Sequence, residues 1–116
     1  MSDNNPAYSS VDGVLFNKDK TRLIQYPSSK LGESYEIPET VETIAFAAFQ
    51  YCTKLHKVLI PEGVKHIKEG AFASCVNLRT VNIPESVMSI EANAFALCRN
   101  IQGGIWGIPL HKYKVI

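Results

Sequence analysis

Three cysteines, Cys52, Cys75 and Cys98, stand at equal intervals of 23 residues. Three glutamates, Glu39, Glu62 and Glu85, keep the same interval, and three histidines, His56, His66 and His111, are scattered among them. A thiol beside an imidazole makes a nucleophile, and thiols with imidazoles bind zinc. Two thiols make a disulfide, and stacked carboxylates suit a hard cation such as calcium. The spacing supports none of these. Cys75 and His66 lie nine residues apart, on different sides of the unit described below, so no base stands beside a thiol and no zinc pattern arises. Equivalent side chains in stacked units point the same way, and three thiols cannot all pair; they read as reduced, buried, small hydrophobes. The glutamates fall in turns without supporting Asp or Asn and read as a solvated edge. No catalytic residue, metal site or cofactor is expected, so the chain does not read as an enzyme.

The cysteines belong to a larger pattern that must position every other residue. Ile37-Pro38, Ile60-Pro61 and Ile83-Pro84 open three consecutive units. Within them Val41, Val64, Val87; Ile44, Ile67, Ile90; Phe49, Phe72, Phe95; and Leu55, Leu78, Ile101 return at the same offsets. An apolar column of this kind is buried only when a like unit stacks above and below it, so each unit is one coil of a solenoid. Within a coil, Lys57-Val58-Leu59-Ile60 reads as a strand ending at Pro61, with Val58 and Ile60 inward. Val64-Lys65-His66-Ile67 reads as a second strand, and Ala71-Phe72-Ala73-Ser74-Cys75 as helical turns on the far side. The predicted fold is an α/β solenoid, a right-handed stack of short strands and helical turns.

The ends read differently. Residues 1–10 are a polar, flexible tail. Residues 11–36 form an N-terminal cap, a hairpin of Val11–Phe16 and Thr21–Tyr26 in which Asp12-Gly13 is a turn or bulge cue. Residues 37–101 are the three repeats. In 102–116, an irregular C-terminal cap, Ile108-Pro109 arrives two residues late. Trp106 and Tyr113 are candidate covers for the last column, and Lys112, Tyr113 and Lys114 leave the stack.

Composition narrows the function classes. At 116 residues, 46% apolar and 20% charged, the chain is one ordinary globular domain. Lys+Arg 12 against Asp+Glu 11 gives a net charge of +1 with no basic stripe, which argues against nucleic acid. No apolar run is long enough to insert into a bilayer. The polar start lacks the order of a secretory signal, so the chain is either intracellular or a piece of something longer, the second being the expectation.

The string Ile-Pro-x-x-Val-x-x-Ile-x-x-x-Ala-Phe-x-x-Cys-x-x-Leu, carried through residues 37–101, resembles the BspA-like, or Treponema pallidum-type, leucine-rich repeat. The hairpin resembles a segment that interrupts arrays in that family. The resemblance implies a secreted or cell-surface protein of bacteria or protozoa, engaged in adhesion to host matrix proteins or other cells. It also implies that so short a chain is a fragment or a minimal member, and it carries no catalytic or binding residue over by position.

Function is therefore sought on the outward strand positions. Ser34, Lys57 and Thr80 form one column and Glu36, Leu59 and Asn82 the next, with His66 on the second strand. Mixed polar, charged and isolated apolar residues on a rigid frame suit recognition of a protein or glycan. The alternative is a structural spacer within a longer array, for which these positions are merely solvated. Leu59, Ile105 and Trp106 are the hints of an exposed apolar cluster.

Overall fold

The computed structural model describes residues 8–101 and 114–115. Successive coils, each read from the strand before its Ile-Pro pair, contribute one strand to each of two sheets. The first sheet contains β4 (Ser34–Glu36), β6 (Lys57–Leu59) and β8 (Thr80–Val81), in that order and parallel. The second carries β5 (Thr43–Ile44), β7 (His66–Ile67) and β9 (Ser89–Ile90), also parallel. Pro38, Pro61 and Pro84 separate the two strands of each coil, because a residue without an N–H cannot continue the ladder. Their carbonyls instead accept from Val41, Val64 and Val87 at 3.1, 3.3 and 3.2 Å, closing the turn into the second strand.

At the N-terminal end the second sheet continues as an antiparallel meander of β1 (Tyr8–Val11), β2 (Val14–Asn17) and β3 (Arg22–Gln25). The Asp12–Gly13 pair, with φ of 51° and 86°, is the two-residue turn between β1 and β2. β3 then pairs parallel with β5, joining the meander to the stack. Two expectations need correction. Tyr8–Ser10, read as tail, are strand, held by pairing with β2 and by Ser9 Oγ donating to the Asn17 carbonyl at 3.1 Å. Lys114 does not leave the stack, for β10 (Lys114–Val115) pairs with β9. That pairing matches Ser89 with Lys114, a step of 25, where inner rungs such as His66 with Ser89 step by 23. The late Ile-Pro pair in the sequence has the same displacement. The candidate cover residues Trp106 and Tyr113, together with Ile105 and His111, lie outside the described residues.

The far side of each coil is also different from the expectation. No helix forms among the described residues; there are successive turns closed by bonds to the third residue back. Ala71 N donates to Lys68 O at 3.1 Å and Cys75 N to Phe72 O at 3.3 Å. The cause is a pair of left-handed positions in every coil: Ala47, Gly70 and Asn93 at φ 53°, 66° and 60°, then Tyr51, Ser74 and Leu97 at 62°, 62° and 63°. Left-handed residues so close together interrupt any right-handed helix.

The interior consists of columns. The rings of Tyr26, Phe49, Phe72 and Phe95 stack with centroids 5.2, 4.7 and 5.1 Å apart and interplanar angles of 22°, 11° and 4°. Tyr26 stands 23 residues before Phe49, so the meander supplies the first ring of the ladder. Tyr35 meets Tyr26 edge-on at 4.9 Å, and burial, with lesser help from Tyr26 and Asp12, pushes its phenol up to about 12. Beside the rings, Cys75 Sγ donates to Phe49 O at 3.0 Å and Cys98 Sγ to Phe72 O at 2.9 Å. Those carbonyls already accept the amide N–H of Cys52 and Cys75, so each thiol occupies the second lone pair. The cysteines are more than small hydrophobes: they tie adjacent coils.

A hydroxyl column does the same at the edge, with one rung missing. Thr40 Oγ1 donates to Lys20 O at 2.7 Å and Ser86 Oγ to Val64 O at 2.8 Å. Between them stands Gly63, where an added Cβ would lie 3.8 Å from Val41 O and 3.6 Å from Glu39 O, ordinary contact distances. Its φ is not in the left-handed range. Gly63→Ser should therefore stabilise the chain by about 1 kcal/mol, combining a new hydrogen bond with lost freedom in the unfolded chain. Urea melts should rank Ser above Ala and Ala above Gly at this position; a serine variant no more stable than the alanine would remove the hydrogen bond from the explanation.

Candidate functional site

Strand alternation fixes what the first sheet shows to solvent. Tyr35, Val58 and Val81 turn inward, so their neighbours on either side turn out. Pairing aligns Ser34 with Lys57 and Lys57 with Thr80, forming one row across three coils. Glu36 aligns with Leu59 to begin a second row. All five are exposed, Leu59 at 39% being the apolar member. Five of the seven residues expected from sequence are thus assembled on one face.

The other two have different surroundings. Asn82 follows β8 and uses its side chain as a piece of strand: Ile60 N donates to Asn82 Oδ1 and Asn82 Nδ2 donates to Ile60 O, both at 2.8 Å. In the preceding coil the matching bond is backbone to backbone, Ile37 N to Leu59 O at 3.0 Å. Asn82 is exposed like the other five, and its amide also holds adjacent coils together. His66 lies in the second sheet, between Thr43 and Ser89, with its Nδ1 2.8 Å from Ser89 Oγ. It does not belong to the row of Lys57.

Two features escaped the sequence. The second row borders a groove of about 260 Å³ lined by Glu36, Glu39, Leu59, Pro61 and Glu62, so two of the in-phase glutamates rim the candidate face. On the turn side, Phe46, Tyr51 and Leu97 are 66%, 61% and 57% exposed. The signal for these was available, because their columns (Phe46, Glu69, Ala92 and Tyr51, Ser74, Leu97) vary freely where inward columns do not.

Charges elsewhere on the surface are partly paired. Lys68 Nζ lies 2.8 Å from Glu91 Oε2, and this bond holds the Glu91 carboxyl below its ordinary range. His56 Nδ1 is 3.6 Å from Glu33 Oε1. Among the described residues no group of three or more His, Cys, Asp and Glu side chains is placed to hold a metal ion, and no helix is long and apolar enough to cross a membrane.

Comparison with known proteins agrees with this geometry. The model of the BspA type leucine rich repeat region matches residues 25–104 in six copies. Among solved structures, the chain is similar to the pneumococcal vaccine antigen PcpA, with 39% identity and a TM-score of 0.84 over 86% of this chain and 25% of that one. It is also similar to a leucine-rich repeat protein of Bacteroides ovatus, at 28% identity and a TM-score of 0.60 over 81% of this chain and 26% of that one. The leucine-rich repeat protein of T. pallidum shares the fold, at 24% identity and a TM-score of 0.65 over 74% of this chain and 42% of that one. The chain therefore spans about a quarter to two fifths of the length of these proteins. No curated protein gives a significant match. With columns, two-sheet coils and family pattern in agreement over most of its length, the chain belongs to the BspA-type leucine-rich repeat family.

Proposed function

We propose that this chain is a non-catalytic binding module of a secreted or surface-displayed protein, and that the outward face of β4, β6 and β8 receives a protein or glycan partner. The observation that supports this reading is the contrast between the two sides of one sheet. Inward positions are given over to apolar packing by Tyr35, Val58 and Val81, whereas outward positions present Ser34, Lys57, Thr80, Glu36 and Leu59 side by side on a fixed backbone. Unlike groups held at fixed spacing are what selective recognition requires. The likeness to a pneumococcal vaccine antigen supports the location. A spacer role is the competing reading, favoured by the small share of that antigen, 25%, which this chain covers.

Binding to an immobilised panel of host matrix proteins and glycans distinguishes the two. Replacing Lys57, Leu59 and Thr80 together by alanine removes the face without touching the core, and should weaken any retained partner by about tenfold or more. Asn82 is left unaltered because it clamps Ile60. The spacer reading gains if nothing is retained, or if retention is indifferent to the triple change.

A further inference from the structure

The groove beside Leu59 has a definite chemical character. Its lining combines apolar surface from Ile37, Leu59 (39% exposed), Ile60 and half-buried Pro61 with the side chains of Glu36, Glu39 and Glu62. We propose that this groove takes an arginine or lysine side chain from an extended, basic segment of the partner protein. The proposal rests on the strand-face reading above and specifies the partner's chemistry.

At about 260 Å³ the groove is smaller than most small-molecule pockets but has room for one long side chain. Arginine and lysine carry an apolar stem and a charged head, so the stem can lie along Leu59 and Pro61 while the head stays wet among the carboxylates. Charge complementarity is unspent. The ion pairs among the described residues join His56 to Glu33 and Lys68 to Glu91, and neither involves Glu36, Glu39 or Glu62. Three carboxylates with no cation set against them among the described residues make the concavity acidic, which favours an incoming positive charge. A bare metal ion is the wrong cation, since these carboxylates do not converge on a point. A guanidinium, broad and planar with donors on several sides, can reach more than one of them.

The test is fluorescence anisotropy with a labelled peptide of alternating Arg and Thr, an acidic counterpart of alternating Glu and Thr, and a salt series. The Arg peptide should bind, the acidic one should not, and added salt should weaken binding. Changing Glu36, Glu39 and Glu62 together to Gln should cost about tenfold in affinity. Glu69→Gln, an exposed carboxylate on the turn side, should cost nothing. Thermal melts of both variants guard against a folding artefact. The proposal is overturned if the Arg peptide fails to bind, if the triple Gln variant binds it equally well, or if Glu69→Gln weakens it as much. The two readings fail separately: a matrix partner lost on changing Lys57, Leu59 and Thr80 but kept by the triple Gln variant would retain the face and remove the groove.

Discussion

Phe72→Ala is expected to destabilise the chain by about 3–5 kcal/mol, the cost of deleting a wholly buried ring and leaving its cavity. Phe72 has no exposed surface and lies between Phe49 at 4.7 Å and Phe95 at 5.1 Å, its ring nearly parallel to both. The surroundings cannot collapse into the gap, because hydrogen bonds on both sides fix the coil spacing. Phe72 N donates to Ala94 O at 2.7 Å and Phe49 N to Ala71 O at 2.6 Å. In a stack, stability is the sum of unit terms and nearest-neighbour interfaces, so a central ring counts at two interfaces. Domains of this size hold only about 5–15 kcal/mol in total, which makes the expected loss a large fraction of the whole. A urea melt read by circular dichroism should move its midpoint far below the parent's. Coincident curves would mean that the ring column does not hold the coils together.

The ring column was readable from sequence because stacking demands that inward residues recur in phase, and Phe49, Phe72 and Phe95 do. Tyr26 keeps that phase too, but the stretch before it lacks an Ile-Pro pair, so the meander looked like a separate cap. Tyr8–Ser10 were missed for a related reason: an edge strand can expose most of its side chains and so shows no apolar alternation. The far side of the coil was misread because Phe72 and Cys75, three residues apart, share a face in a helix and in consecutive turns alike. The left-handed positions that decide between them are filled by Ala47, Tyr51, Ser74 and Leu97, none of which signals that conformation; Gly70 and Asn93 do. Of the candidate face, the rows of Lys57 and Leu59 follow from strand alternation alone. Asn82 could not be separated from them by type, since an outward Asn and a backbone-mimicking Asn differ only in where the strand stops.

Cys75 should be almost inert toward alkylating reagents until the chain opens. Its thiol is fully buried, donates to Phe49 O at 3.0 Å and lies between the thiols of Cys52 and Cys98. The neighbouring thiols of Cys52 and Cys98, and burial, drive its pKa upward, so the reactive thiolate is scarce even where a reagent could reach it. Labelling must then pass through an opened state. With a stability of only about 5 kcal/mol, that state's population slows the reaction by more than 10³-fold relative to a free thiol, on the order expected for a core position. Iodoacetamide time courses followed by mass spectrometry, in native buffer and in urea, measure this ratio, and Phe72→Ala should raise the native rate by destabilising the same column. The protection also bears on location. Free thiols are a liability in an oxidising exterior, and Cys52, Cys75 and Cys98 are all unpaired. Thiols closed inside the coils are compatible with display on a surface, whereas rapid native labelling of Cys75 would count against both the dry column and that compatibility.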